Sequence, residues 1–502
     1  MVICESHKKL FEEEYKVSLK SLFKKVICTT TALALVASLA ACGGTPAKQQ
    51  SENTQGTQNG GTVAESSQAA AAAGFSWDMA KGTKIRVMFN QHPYAEAIIK
   101  KLPDFKAKTG IDVEYSLTPE ENYFDKVTTA LNSKSGDPDL FMTGAYQIWE
   151  YAPPGYVQDL NKFINDSSVT SPDYDINDFY QGILGSLRWD LVAGHKTGTG
   201  PQWALPLGFE MYTLAYNKKV FAEKGLTPPK TMDELLATAA KLKEFNGKGT
   251  YGLAIRGTRN WATIHPGYMS TYATWGAKDF EVENDKLVSK VNSPEAVAMT
   301  DMWLKIIKEG GSPTWSSYTW YQAGADLGAG KAAMLYDADC NGYFQNPEGA
   351  SKEAGNIAWV PAPLPAGKDK VQSNMWTWAM AMNAASKKQT AAWIFLQYFT
   401  AKEYSLWASV NAKVVDPARK TVFEDASFQQ VLSKSEGYAD AFKAQIDGTG
   451  IQFTPQPHFF ETTTDWAATL QDLVGGKYKS TQEAMDALKK SMDKAVDDVE
   501  VQ

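Results

Sequence analysis

Three short stretches bring together side chains that can grip a small molecule. "NMWTWAM" (Asn374–Met380) carries Trp376 and Trp378 two residues apart, on one side of a segment that reads as extended. "RGTRNWATIHPGY" (Arg256–Tyr268) supplies Arg256, Arg259, Trp261 and His265 within ten residues, in a loop expected after a strand. "YDADC" (Tyr336–Cys340) offers Asp337 and Asp339 after the apolar run Ala333, Met334 and Leu335. Aromatic rings meet C–H faces, and charged groups make the stronger hydrogen bonds to hydroxyls. An apolar wall with a few placed polar groups is how small-ligand clefts are built. Each residue also has an ordinary use. One of the two tryptophans is expected to fill the core, with Trp376 weighed evenly between core and ligand, and the aspartates can close a turn or cap a helix. Two carboxyls about 5 to 9.5 Å apart across a glycosidic bond would instead make a hydrolase, but nothing in the sequence marks such a pair.

Other chemistries find less support. The five histidines lack metal-ligand spacing, so no metal and no cofactor is expected. The glycines at 198 and 200 follow no strand in a nucleotide-binding arrangement and read as a loop. A net charge of −7 provides no basic face for nucleic acid. Cys340 reads as a small buried residue.

A chain of 502 residues is too long for one core and predicts at least two domains. Ile85, Val87 and Phe89 alternate within "TKIRVMFN" as in a strand, and a helix pattern follows up to Gly110. "IDVEYSL" is the next strand, "NYFDKVTTALNS" a helix and "DPDLFMTG" a strand. This alternation predicts an α/β layer with a mostly parallel sheet, whose ligands sit beyond the carboxyl ends of strands. Asn90, Gln91, His92 and Tyr94 after the first strand, and Thr143, Gly144 and Ala145 after the third, are therefore candidates. Helices opening at Thr231, Ser293 and Ser480 carry capping residues and apolar stripes and are assigned to packing.

The N-terminus speaks to location. Val26–Ala41 is uncharged and follows the lysines of "KSLFKK", the pattern of a secretory signal. The boundary "LAAC" resembles the lipobox of bacterial lipoproteins, which implies cleavage before Cys42 and lipidation of its thiol. "FEEEYK" places acids ahead of a region that should be basic, so translation is expected to begin at Val17. Removing residues 1–41 takes away six basic and four acidic residues and leaves the chain near −9. Cys42 and Cys340 then remain, and with Cys42 lipidated no disulfide is expected. Residues 43–74 are rich in Gly, Ser, Thr, Gln and Ala and read as a flexible tether.

"LPLGFEMYTLAYNKKVFAEKGLTPPKTMDELLATAAKLK" (Leu205–Lys243) resembles the signature region of the extracellular solute-binding proteins of ABC transporters, in their sugar-binding, maltose-binding-protein-like group. "GKAAMLYDADC" (Gly330–Cys340), Ala362–Thr400 and the C-terminal "GGKYKSTQEAMDALKK" resemble further blocks of that family in matching order, and the likeness runs from Lys84 to Val496. Arg256–Phe280 is most similar to members that bind polyols or small sugars such as sorbitol and mannitol. The resemblance implies a two-lobed α/β, periplasmic-binding-protein-like fold of type II, with the ligand between lobes joined by crossing hinge strands. It places the first crossing near Phe209–Tyr212, a return near Trp376–Ala379 and a third between Val415 and Tyr438. Residues 1–41 are then signal peptide and 42–80 linker. Residues 81–210 plus 377–425 form lobe one, and residues 211–376 plus 426–502 form lobe two.

The ligand-binding set expected from residues and resemblance together is Asn90, His92, Tyr94, Thr143, Glu210, Arg256, Arg259, Trp261, His265, Asp337, Asp339, Trp376 and Trp378. Glu210 is placed by the crossing, where a hinge salt bridge is the competing use. Pro457, His458 and Phe459 are further late contacts. The implied function is a lipid-anchored, monomeric receptor at the extracellular face of the cell membrane. It would capture a sugar or polyol without chemistry and pass it to ABC permease subunits. A tethered glycosidase using Asp337 and Asp339, or a receptor for another solute such as a peptide, are the alternatives.

Overall fold

The computed structural model describes residues 74–501. The signal segment, the start at Val17, Cys42 and nearly all of the tether lie outside the described residues. The chain is already packed at Phe75 and Trp77, ahead of residue 81. These rings meet edge to face at 5.1 Å, and Trp77 packs on Tyr398 at 5.9 Å.

The described residues form ten strands: β1 (Lys84–Asn90), β2 (Asp112–Thr118), β3 (Leu140–Thr143), β4 (Ala204–Asn217), β5 (Tyr251–Ala254), β6 (Phe280–Glu283), β7 (Lys286–Ser289), β8 (Ala332–Ala338), β9 (Ile357–Val360) and β10 (Met375–Met382). Their order is β2-β1-β3-β10-β4-β8-β5, with β9 also on β4 and β6–β7 a separate hairpin. Parallel pairing holds at the two ends, β2–β1–β3 and β8–β5. In the middle, β10 and β4 run antiparallel to their neighbours. The prediction of a mostly parallel sheet thus fits the outer strands and fails at the strands that cross.

The β1 alternation buries Ile85, Val87 and Phe89, and the apolar residues Tyr94, Ile98 and Phe105 of the following Pro93–Thr109 helix are buried too. That helix starts at His92, whose Nδ1 accepts the Tyr94 N–H at 3.4 Å, and Pro93 occupies the first helical position. It ends at Gly110 with φ of 67°, a left-handed turn that favours glycine. The expected caps are present. Thr231 and Glu234 form a reciprocal capping box, Ser293 accepts from Ala296, and Ser480 accepts from Glu483. Among the described residues no helix is long and apolar enough to cross a membrane.

Strand β4 organises the molecule. Ala204–Met211 pairs with β10, and Tyr212–Asn217 pairs with β8 and β9. One continuous strand therefore serves two α/β lobes, and its partners change between Met211 and Tyr212. Glu210 stands immediately before that change, opposite Trp376 on β10.

Candidate functional site

The carboxyl end of β1, the middle of β4, the end of β8 and the start of β10 converge on one small cavity. Its walls are His92, Glu120, Glu210, Arg256, Trp261, His265, Trp320, Ala338, Cys340, Asn341, Phe344, Trp376 and Trp378. Its volume is about 20 Å³, room for roughly one water. Outside it, sharing His92, Glu120, Arg256, Trp261 and Trp320, lies a cleft of about 1140 Å³ that extends to Phe124, Gln147 and Thr319.

Four indoles line the cavity, and three of them, Trp261, Trp376 and Trp378, pack on one another. Trp376 is 2% exposed, and its ring lies 5.2 Å from Trp261 at an interplanar angle of 28°. Trp378 meets Trp376 edge to face at 5.1 Å. The close approach of Trp376 depends on Gly144 behind it, where an added Cβ would sit 2.6 Å from Cζ2 of the ring. Trp376 and Trp378 share a face of β10, and both belong to the buried core while reaching the cavity. The Trp376 Nε1 and the Asn341 Oδ1 are buried without a hydrogen-bond partner in walls of this cavity.

The polar side is built on Arg256. Its Nε and Nη2 donate to Asp337 at 2.8 and 2.6 Å, a bidentate pair in which Asp337 is 1% exposed. Burial works against the guanidinium charge, but the Asp337 carboxylate more than reverses this and raises the Arg256 pKa. Its Nη1 donates to the Ala262 carbonyl and to His265 Nε2, both at 3.2 Å. An imidazole that accepts at Nε2 and is neutral carries its proton on Nδ1. Nδ1–H thus donates to the Tyr212 hydroxyl at 2.6 Å. Burial and the Arg256 charge hold His265 well below its usual range, so the imidazole stays neutral.

Across the cavity, Trp378 Nε1 donates to Glu210 Oε1 at 2.9 Å, and His92 Nε2 lies 4.0 Å from the same oxygen. Burial pushes Glu210 up to about 8 and His92 down to about 3, so at neutral pH both are uncharged and their approach is no ion pair. A carboxyl raised in this way favours the folded state at low pH, and that contribution is lost as pH rises from 4.5 to about 8. Glu210→Gln is therefore expected to make the fall in melting temperature across that window shallower by Glu210's share. An equally steep fall in the variant would place the titrating group elsewhere.

Of the residues singled out from sequence, the cavity gathers His92, Glu210, Arg256, Trp261, His265, Trp376 and Trp378, with Asp337 directly behind Arg256. The others stand apart. Arg259 is half-exposed and turns outward to Gln471 and Asp472. Asp339 is buried beside Met211 and Cys340, not in the cavity wall. The two aspartates thus line no common cavity that would hold a scissile bond. Tyr94 donates its hydroxyl hydrogen to the Phe209 carbonyl at 3.2 Å. Asn90 donates to Glu120 at 3.4 Å, and Thr143 is wholly buried at the end of β3. His458 faces Glu461 and Asp498, and Phe459 stacks on Tyr146 at 4.2 Å. Sequence reading missed Glu120, Trp320, Asn341 and Phe344. Trp320 could have been found, since Thr319 and Gln322 form a capping box that fixes a helix start there. Cys340 was read only as a packing residue, yet it reaches the wall. Among the described residues, one group of metal-type donors comes together, Asp339, Cys340 and Asp416, within 4.8 Å of one another.

Comparison with known proteins gives consistent results. A family model described as bacterial extracellular solute-binding protein matches residues 89–405. The erythritol/L-threitol-binding protein of Mycolicibacterium smegmatis is 41% identical over 419 residues, covering 83% of this chain and 87% of that one. The mannitol-binding protein of Pseudomonas aeruginosa is 27% identical over 289 residues, covering 57% and 61%. Among solved structures, an ABC transporter solute-binding protein of Agrobacterium radiobacter in complex with ribitol superposes with a TM-score of 0.71 at 22% identity, covering 82% of this chain and 99% of that one. One from Agrobacterium vitis with D-mannitol gives 0.69 at 24%, covering 83% and 99%. At these identities the superpositions bear on the fold. The relatives are solute-binding proteins rather than enzymes.

Proposed function

Because the chain belongs to the bacterial extracellular solute-binding protein family, we propose that it captures a short acyclic polyol between its lobes and passes it to an ABC permease. The observation that carries this reading is the cavity itself, lined by four indoles and an Arg256–Asp337 pair, with an unpartnered donor on Trp376 and an unpartnered acceptor on Asn341. A vicinal diol both donates and accepts, and its C–H edges pack on rings, so each wall has a counterpart in such a ligand. The small volume, about 20 Å³, favours a short ligand and requires the walls to part on loading. The binding of erythritol and L-threitol by the relative in M. smegmatis supports the same class.

The lobe bounds given by the sequence, 81–210 plus 377–425 and 211–376 plus 426–502, belong to this proposal. The change of partners along β4 at Met211 and Tyr212 supports the first of them. The lipid anchor is also part of this proposal, and it rests on "LAAC" at residues 39–42 and the tether that follows.

A thermal-shift series with erythritol, L-threitol, ribitol, D-mannitol and maltose tests the ligand class. A ligand at 100 times its Kd adds about 2.7 kcal/mol to folding stability. The four-carbon polyols are expected to raise the midpoint at the lowest concentrations. If no polyol or sugar moves it at millimolar concentration, the reading fails. Release of reducing ends from a glycoside would favour the hydrolase instead.

A further inference from the structure

Beneath the cavity, where β4 changes lobes, two carboxyl groups are buried together. Asp339 opens the Asp339–Gln345 helix at the end of β8, and Asp416 lies in the segment that follows the Lys402–Asn411 helix. They are 2% and 0% exposed. Each uses one oxygen in an ordinary way. Asp339 Oδ1 accepts from the backbone N–H of Met211 at 3.4 Å and of Cys340 at 2.9 Å, and Asp416 Oδ1 accepts from the Tyr438 hydroxyl at 2.7 Å. The second oxygen of each, Oδ2, is buried and has no hydrogen-bond partner. Two ionised carboxylates cannot sit side by side away from water without a shared counter-charge.

We propose that Asp339 and Asp416 hold one proton between their Oδ2 atoms and together act as positioning residues for Glu210. The backbone shows what they position. The Asp416 carbonyl accepts the Phe209 N–H at 3.2 Å, and Asp339 Oδ1 accepts the Met211 N–H. Glu210 is thus gripped on both sides, at the point where β4 passes from β10 to β8. Gly208 permits the approach, since a Cβ there would lie 2.8 Å from the Asp416 carbonyl.

The surroundings favour a proton over a second charge. The titratable groups packed round the pair are Glu210 on β4, Tyr94 on the Pro93–Thr109 helix, Cys340 and Tyr343 on the Asp339–Gln345 helix, and Tyr438 on the Tyr438–Gln445 helix. Each is neutral or acidic. Burial pushes both aspartates up, and the Asp339 charge beside Asp416 pushes Asp416 higher still. A divalent cation is the competing occupant. The carboxyl oxygens already bonded to N–H and O–H groups leave only two oxygens and a thiol free for it, fewer ligands than hard cations take.

The proton can be tested without ligand, so its failure is separate from failure of the polyol reading. Only its consequence for binding rests on that reading. Infrared spectra of the wild-type chain, labelled with carbon-13 on aspartate, are expected to show a protonated-carboxyl stretch at neutral pH. Asp416→Asn, whose amide can donate to Asp339 in place of the proton, should abolish that band. A pair whose folded pKa is raised stabilises the fold at low pH and loses this as pH rises. In a Glu210→Gln background the melting temperature should therefore still fall as pH rises from 3.8 to about 7, and adding Asp416→Asn should flatten the fall. The absence of the band in the wild-type chain overturns the proposal even if the variant does not fold. A slope unchanged by Asp416→Asn overturns it too, as does stoichiometric metal whose removal by chelator lowers the melting temperature.

Discussion

Asp337→Ala is expected to lower folding stability by about 3–5 kcal/mol and to abolish detectable erythritol binding in the same chain. The reason lies in what remains. Arg256 is buried and always charged, and Asp337 supplies two of its hydrogen bonds. Without the carboxylate the guanidinium keeps only the Ala262 carbonyl and His265 Nε2. An uncompensated buried charge must then find water or swing out of the cleft. Replacing both partners with apolar residues, as in Arg256→Met/Asp337→Leu, should restore most of the stability, because a buried pair contributes little net energy once its desolvation is counted. The double variant should still fail to bind. Urea denaturation gives the first quantity and titration calorimetry the second. An Asp337→Ala chain within 1 kcal/mol of wild type would mean that Arg256 is not held as described.

Trp376→Ala should have an effect of similar size for a different reason. The ring is buried among Trp261, His265, Tyr146 and Trp378, and its removal leaves a void that rigid neighbours cannot fill. Large-to-small changes of this kind cost about 3–5 kcal/mol. Trp376→Phe separates packing from hydrogen bonding, since it keeps a ring and loses Nε1. It should retain most of the stability while still weakening erythritol binding. Equal binding by the phenylalanine variant would show that the indole N–H does not serve the ligand.

What could be read in the sequence was local. The capping box at Thr231, the N-cap at Ser480, the alternation in β1 and the stop at Gly110 depend on neighbours a few residues away, and they appear as expected. The choice between Arg256 and Arg259 was not legible. They stand three residues apart in one loop, and the inward one is selected by Asp337, far along the chain. The two aspartates of "YDADC" misled for a related reason. Residues two apart share a face only while the strand lasts, and β8 ends at Ala338 with a helix starting at Asp339. The change of side at that junction sends Asp337 towards Arg256 and Asp339 towards Asp416. Asn341 and Phe344 lie on the same helix, so they were hidden by the same unrecognised boundary.

The position of β10 has a consequence for how the chain acquires its shape. It lies between β3 and β4, both made long before it, so the first lobe has a gap in its sheet until Met375–Met382 has been synthesised. Until then β3 and β4 each present an unpaired edge, and Trp376 and Trp378 have no place to pack. Closing that gap needs contacts between residues far apart in sequence, which makes folding late and slow. A polypeptide that finishes its central sheet late exposes strand edges for longer, which calls for protection from aggregation.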